Sequence, residues 1–196
     1  MGKQIHLKKV ERLFEQSPVA DFNSVVRLVG NKGYTKLLIS NLLKQKKIQK
    51  VGKGVYTKYD ERTLAVFAFK PAYLGLQSAL SYHGLWEQET VPIILTIRKV
   101  RRGVRRIMGG NVVVRTIDPK YFFGFEFVKE GEFYLPYSDV EKTVIDLVVF
   151  GISMDDALLR VVRKKVNLVK LHEYLKRYSL VLRVRVEKVL GVRERK

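Results

Sequence analysis

Few of the 196 side chains are of types that make or break bonds. Cysteine is absent, which removes disulfides, thiolate metal ligands and thiol nucleophiles. The three histidines, His6, His83 and His172, stand far apart, so no two share ligand spacing and no zinc site is expected. Ser78 and His83 are five residues apart, which is not a helical neighbour spacing, and no triad forms around them. His83 follows an apolar helical run and precedes Gly84, so it reads as a hydrogen-bonded structural histidine, and Ser78 as a packing residue. Asp118-Pro119-Lys120 follows the strand-like Val112–Ile117 and fits half of a metal-dependent endonuclease motif. Such a site needs another acidic ligand upstream, and Glu87 and Glu89 there look like loop residues. Asp139, Glu141 and Asp146 form a second acidic group, but Glu141 and Asp146 diverge on a helix, which argues against paired metal ligands. Neither a phosphate loop nor a dinucleotide glycine fingerprint occurs. The expectation is therefore a protein that is not an enzyme and takes no cofactor and no metal. A metal-dependent endonuclease is the alternative, together with an RNA-binding or scaffold module.

What the chain has in abundance is positive charge. Thirty-eight Lys and Arg face 19 Asp and Glu, a net +19. Such a charge repels itself in a compact fold and suits a polyanionic partner. Residues 1–60 hold 13 basic and 4 acidic side chains, residues 61–159 hold 12 of each, and residues 160–196 hold 13 and 3. Both ends are basic and the middle is neutral. Apolar runs such as Leu147–Phe150 are far too short to span a membrane, and the first residues lack the apolar stretch of a signal peptide. A cytoplasmic protein with no membrane partner is expected.

Three helices and a hairpin are needed to position the N-terminal cations. Ile5, Val10, Leu13 and Phe14 predict a helix over Lys3–Gln16, ended by Ser17-Pro18. Asp21 or Asn23 caps a second helix carrying Val25, Val26, Leu28 and Val29. Gly30-Asn31-Lys32-Gly33 reads as a turn, and a third helix is expected over Thr35–Lys47. On that helix Leu38, Ile39, Leu42 and Leu43 share one apolar arc. Lys36, Leu37, Ser40, Lys44 and Lys47 lie opposite, with Asn41 at the edge. Lys meets phosphate or guanine, Ser bonds either way, and Asn pairs adenine at two points, so this face suits a major groove. Ile48–Tyr56 then reads as a hairpin turning at Gly52-Lys53-Gly54, with Lys50 and Lys53 near its tip. Helix, helix, turn, helix and a basic hairpin make the order of a winged helix-turn-helix. Lys36, Ser40, Asn41 and Lys44 are expected to face the groove, and Thr35, Lys47, Lys50 and Lys53 to hold phosphates.

Beyond Asp60 the pattern mixes helices and strands. A helix is expected over Glu61–Phe69 and another around Leu76–His83. Strands are expected at Ile93–Ile97, Val112–Ile117, Phe122–Val128 and Glu132–Leu135. Ser138, with Glu141 three residues on, reads as a capping box that opens another helix. Leu180–Val186 is ambiguous between strand and helix. Arg98, Lys99, Arg101, Arg102, Arg105 and Arg106 put six cations in nine residues around Gly103, a possible second basic patch on a hairpin or loop. Arg160, Arg163, Lys164 and Lys165 suit a further phosphate contact or a solvated helix face. The fold class expected is α+β, with a winged helix-turn-helix at 1–60 and a mixed α/β domain at 61–196.

Three segments carry a family resemblance. Ser78-Ala79-Leu80-Ser81-Tyr82-His83-Gly84-Leu85 resembles the S-A-L-x-x-H-G-L signature of AbiEi-type antitoxins, a family of transcriptional regulators linked to viral defence. Gly54-Val55-Tyr56 is similar to the G-x-Y that ends their winged domain, and Glu141–Leu147 to their E-K-x-x-x-D-L helix. The segments come in family order. The resemblance implies a sequence-specific repressor that binds the double-stranded operator of its own operon. It also implies a functional antagonist of a nucleotidyltransferase-like toxin, with no stable complex between the two.

Overall fold

The computed structural model describes residues 2–88 and 90–192, so Glu89 lies outside the described residues. The chain is α+β and divides into two compact units. The first is Met1–Lys70 with Val104–Val112, and the second is Pro71–Gly103 with Val113–Lys196.

Capping chemistry sets the helices of the first unit. Helix α1 spans Gly2–Gln16 and stops before Ser17-Pro18. A two-residue strand β1, Ala20–Asp21, leads into α2, Phe22–Val29. The Asp21 carboxylate accepts from the Ser24 N–H at 2.9 Å and from the Ser24 hydroxyl at 2.8 Å. Partial burial opposes ionisation, but these bonds outweigh it and hold the carboxyl below the ordinary range. Helix α2 closes on Gly30, whose φ of 79° suits a residue without Cβ. Asn31 then caps α3 by accepting from the Tyr34 N–H at 2.8 Å. Helix α3 is Lys32–Lys44, three residues earlier at each end than the sequence suggested. The Asn31 side chain satisfies an orphan N–H, so Lys32 and Gly33 join the helix rather than the turn.

Strands β2 (Gln49–Gly52) and β3 (Val55–Thr57) form the hairpin, with Lys53 and Gly54 at its tip. Strand β1 pairs on the other side of β3, giving an antiparallel sheet of order β1-β3-β2. Val10, Phe14, Val25, Val29, Leu38, Ile39, Leu42 and Ile48 make one aliphatic core with one aromatic ring. A 3-10 helix, Arg62–Phe69, follows. It was expected to open the second domain, but it groups with the first unit. Gly52 shows why: a Cβ there would stand 2.5 Å from the Ala68 Cβ, so the hairpin backbone lies directly on this helix.

The second unit is built on a mixed sheet. Its strands are β4 (Ala72–Leu74), β5 (Ile93–Thr96), β8 (Phe125–Glu130), β9 (Phe133–Ser138) and the Val113–Thr116 part of β7 (Gly110–Thr116). Strand β5 runs parallel to β7 and antiparallel to β4, β4 runs parallel to β9, and β8 and β9 are antiparallel. Strand β6 (Gly103–Ile107) turns through Met108-Gly109 into β7, and from Val104 to Val112 this hairpin groups with the first unit. Strand β4 was not expected, and the hairpin that was one reading of the arginine cluster turns at Met108-Gly109 rather than at Gly103. Gly103 starts β6 and is not the centre of a loop.

Helices α4 (Gln77–Tyr82), α5 (Val140–Val149), α6 (Asp156–Lys165), α7 (Leu168–Leu175) and α8 (Leu180–Leu190) complete the second unit. Asp139, not Ser138, caps α5, by accepting from the Lys142 N–H at 2.8 Å. A carboxylate suits the positive helix end, whereas Ser138 is a buried strand residue bonded to the Thr143 hydroxyl at 2.8 Å. Segment 180–186 is helical because Ser179 caps it and Val186 and Leu190 supply a buried stripe.

Candidate nucleic-acid interface

The outward face of α3 is polar because its inward face takes all four buried residues, Thr35, Leu38, Ile39 and Leu42. Lys36, Ser40, Asn41 and Lys44 are all exposed. Among the described residues no carboxylate pairs with Lys36, Lys44, Lys50 or Lys53. Thr35 was expected at phosphate and is instead fully buried, its hydroxyl donating to the Asn31 carbonyl at 2.8 Å. The earlier helix start does not alter its angle: about 100° per residue puts Thr35 in the middle of the apolar arc.

Lys47 lies past the end of α3 and pairs with Glu11 of α1 at 2.9 Å, so its ammonium is already countered. Lys46, which the sequence reading passed over, sits on the turn between them with φ 56°. Its signal was the Lys44-x-Lys46-Lys47 run. Lys46, Lys50 and Lys58 line one hollow of about 510 Å³ with Leu43, Ile48, Gln49 and Asp60. The end of α3 and the start of the hairpin therefore share a cationic surface. Lys53 stands exposed at the hairpin tip, where Gly54 supplies a φ of 71°. The close seat of Gly52 on Ala68 fixes the end of β2 next to that tip.

The cluster at 98–106 does not act as one loop. Arg98, Lys99, Arg101 and Arg102 are exposed in the connection after β5. Arg105 is half-buried on β6, its guanidinium 5.6 Å from the centre of the Phe69 ring, and Arg106 is exposed. Arg105 thus works as packing inside the first unit. On α6, Arg163 donates to the Leu190 carbonyl at 2.6 Å and Lys165 to the His83 carbonyl, while Arg160 and Lys164 are exposed.

The residues that resembled catalytic chemistry have structural partners. His83 Nε2 bonds the Ser138 carbonyl at 2.8 Å, and the Ser78 hydroxyl accepts from the Ile93 N–H at 2.8 Å. Asp118 caps the 3-10 turn Pro119–Tyr121 by accepting from the Lys120 N–H at 3.0 Å. Among the described residues no three His, Asp or Glu side chains converge as a metal site would require.

The acids and lysine of α5 form a buried network. Asp146 takes the Lys142 ammonium on one oxygen and the Tyr73 hydroxyl on the other, the latter at 2.7 Å. Lys142 also donates to the Tyr178 hydroxyl at 3.2 Å. Lys142, Asp146 and Tyr73 are all solvent-excluded. Burial pushes the Lys142 amine down and the Asp146 carboxyl up, each partly offset by the other. Glu141 accepts from the Asn167 N–H at 2.7 Å, and Asp139 from the Tyr174 hydroxyl at 2.7 Å and from Lys170 at 3.0 Å. Burial and the Asp139 bond push the Tyr174 hydroxyl up to about 12.

No protein-family profile and no curated protein matches the chain. Among solved structures it is similar to the RV2827C protein from Mycobacterium tuberculosis, with a TM-score of 0.61 and 12% identity over 95% of this chain and 76% of that one. The likeness is one of fold. No helix among the described residues is long and apolar enough to cross a membrane.

Proposed function

We propose that the chain is a sequence-specific duplex-DNA-binding protein whose first unit is a winged helix-turn-helix. In this reading α2 and α3 are the helix pair, α3 enters the major groove, and the β2–β3 hairpin is the wing on flanking phosphates. The observation that carries it is the exposed row Lys36, Ser40, Asn41 and Lys44 on α3, continued by Lys46 and Lys50 at the foot of a hairpin tipped by Lys53. The order helix, strand, helix, helix, hairpin, with β1 beside β3, supports the same reading. Lys44, Lys46, Lys50 and Lys53 would neutralise phosphates, and Ser40 and Asn41 would read base edges.

With the resemblance of 78–85, 54–56 and 141–147 to AbiEi-type antitoxins, the role that follows is a non-enzymatic transcriptional repressor. It would bind the operator of its own toxin–antitoxin operon and oppose a nucleotidyltransferase-like toxin. A gel shift at physiological salt tests it. The protein is titrated against its own upstream DNA, random duplex and RNA. Tight, saturable binding to the upstream duplex supports the reading. Equal binding to all three, or magnesium-dependent cutting lost in Asp118→Ala, overturns it.

A further inference from the structure

One residue on the outward face of α3 has no part in phosphate or polar contacts. Leu37 is 58% exposed and stands in the centre of that face. At about 100° per residue, Asn41 lies roughly 40° to one side of it, and Lys44 and Ser40 about 20° and 60° to the other. Gly33, one turn earlier, adds no side chain beside it. The core of the first unit is reached by Leu38, Ile39 and Leu42, on the far side of the helix. A branched apolar side chain thus projects from the middle of a surface otherwise made of donors.

Major-groove base edges present donors, acceptors and one apolar group, the C5 methyl of thymine. A leucine inside a row of lysine, serine and asparagine complements that methyl and nothing else in the groove. Asn41, one turn further on, has the donor–acceptor pair that matches adenine N6 and N7. The four-residue step from Leu37 to Asn41, about 6 Å along the helix, spans close to two base steps of about 3.4 Å. Resting on the duplex-DNA reading above, we infer that Leu37 is a thymine-reading residue. It packs on a thymine methyl one or two base pairs from the adenine held by Asn41. The ligand is therefore a thymine-bearing DNA duplex. Uracil at that position lacks the recognised group, which adds a chemical distinction between DNA and RNA to that of groove shape.

Duplexes are selected from a random pool with the full chain, and each thymine of the selected sequence is replaced in turn by deoxyuridine. Affinities are measured for the wild type, Leu37→Ala and Asn41→Ala. One replacement is expected to weaken the wild type about fourfold, the effect of burying one methyl. Leu37→Ala is expected to bind the thymine duplex about five- to tenfold more weakly and to ignore that replacement. Asn41→Ala keeps the response. An unchanged melting temperature confirms that Leu37→Ala is folded. The inference is overturned if the selected sequence holds no thymine that responds, or if Leu37→Ala responds as the wild type does. In both cases a sequence is still selected and the DNA reading survives. Selection of no sequence at all sinks that reading, and Leu37 with it.

Discussion

Helices α3 and α5 both carry charged and small polar residues, yet they place them in opposite ways. In α3 Lys36, Ser40, Asn41 and Lys44 point to solvent, and the hydroxyl of the one buried polar residue, Thr35, bonds a backbone carbonyl. In α5 Glu141, Lys142, Thr143 and Asp146 are all buried. What differs is the supply of partners. Helix α5 meets Tyr73, Tyr178, Lys170 and the Asn167 N–H, each aimed at one of its charges. Helix α3 packs on Val10, Phe14, Val25 and Val29, which offer a charge nothing. A buried charge without a partner costs several kcal/mol, so polar groups stay inside only where the surroundings answer them. A charged helix is therefore part of the frame when its neighbours carry complementary groups. Where they do not, its charges stay in water, open to a partner.

The largest test of this contrast removes one member of the buried pair. Asp146→Asn or Lys142→Met should destabilise the second unit by about 3–5 kcal/mol, because either leaves an ion buried alone. Replacing both, as Lys142→Met with Asp146→Leu, should recover most of that loss. Urea unfolding followed by fluorescence of Trp86, which packs on the core of this unit, measures it. If the single substitutions cost less than 1 kcal/mol, α5 is not the frame.

A smaller effect is expected on the exposed helix, and it should appear in specificity and not in stability. Asn41→Ala should cost about 1–3 kcal/mol of discrimination at one base pair and leave the melting temperature unchanged. Binding to a panel of single-base operator variants reads it. A uniform loss across the panel would make Asn41 a phosphate contact. Lys53→Ala should lower affinity for every sequence alike and flatten the slope of log affinity against log salt by about one. A salt slope unchanged in that variant would take the hairpin tip off the DNA.

The contrast also marks what sequence could and could not tell. Strong local signals were legible: the Ser17-Pro18 stop, the Asp21 cap, the Gly52-Lys53-Gly54 hairpin and the exposure of Lys36, Ser40, Asn41 and Lys44. Each depends on residues close in sequence. Thr35 shares the apolar arc with Leu38 and Leu42, so its angle on the helix and not its hydroxyl decides its place. Asn31 was read as a turn residue because its capping bond to Tyr34 does not differ in composition from turn chemistry. The role of Lys142 and Asp146 was out of reach. Their partners Tyr73 and Tyr178 lie 73 and 36 residues away from them, and no local pattern announces such a meeting. Strand β4 is three residues long and too short to show a period, and β6 is hidden under its arginines.

The smallest change probes whether the first turn of the exposed helix meets the proposed duplex. Gly33 lies in the first turn of α3 with an ordinary helical backbone, and a Cβ built there comes no nearer than 3.5 Å to the Asn31 side chain. The fold therefore tolerates alanine, and Gly33→Ala should stabilise the first unit by about 0.4–1 kcal/mol through the reduced freedom of the unfolded chain. If the first turn of α3 lies against a duplex, the new methyl stands between backbone and DNA, and affinity falls while stability rises. Thermal melts and DNA titrations on one preparation separate the two. A gain in both would mean that contact starts a turn later, at Leu37. A loss of stability would mean that the Asn31 cap gives way to the added methyl, so that glycine serves the fold and not the ligand.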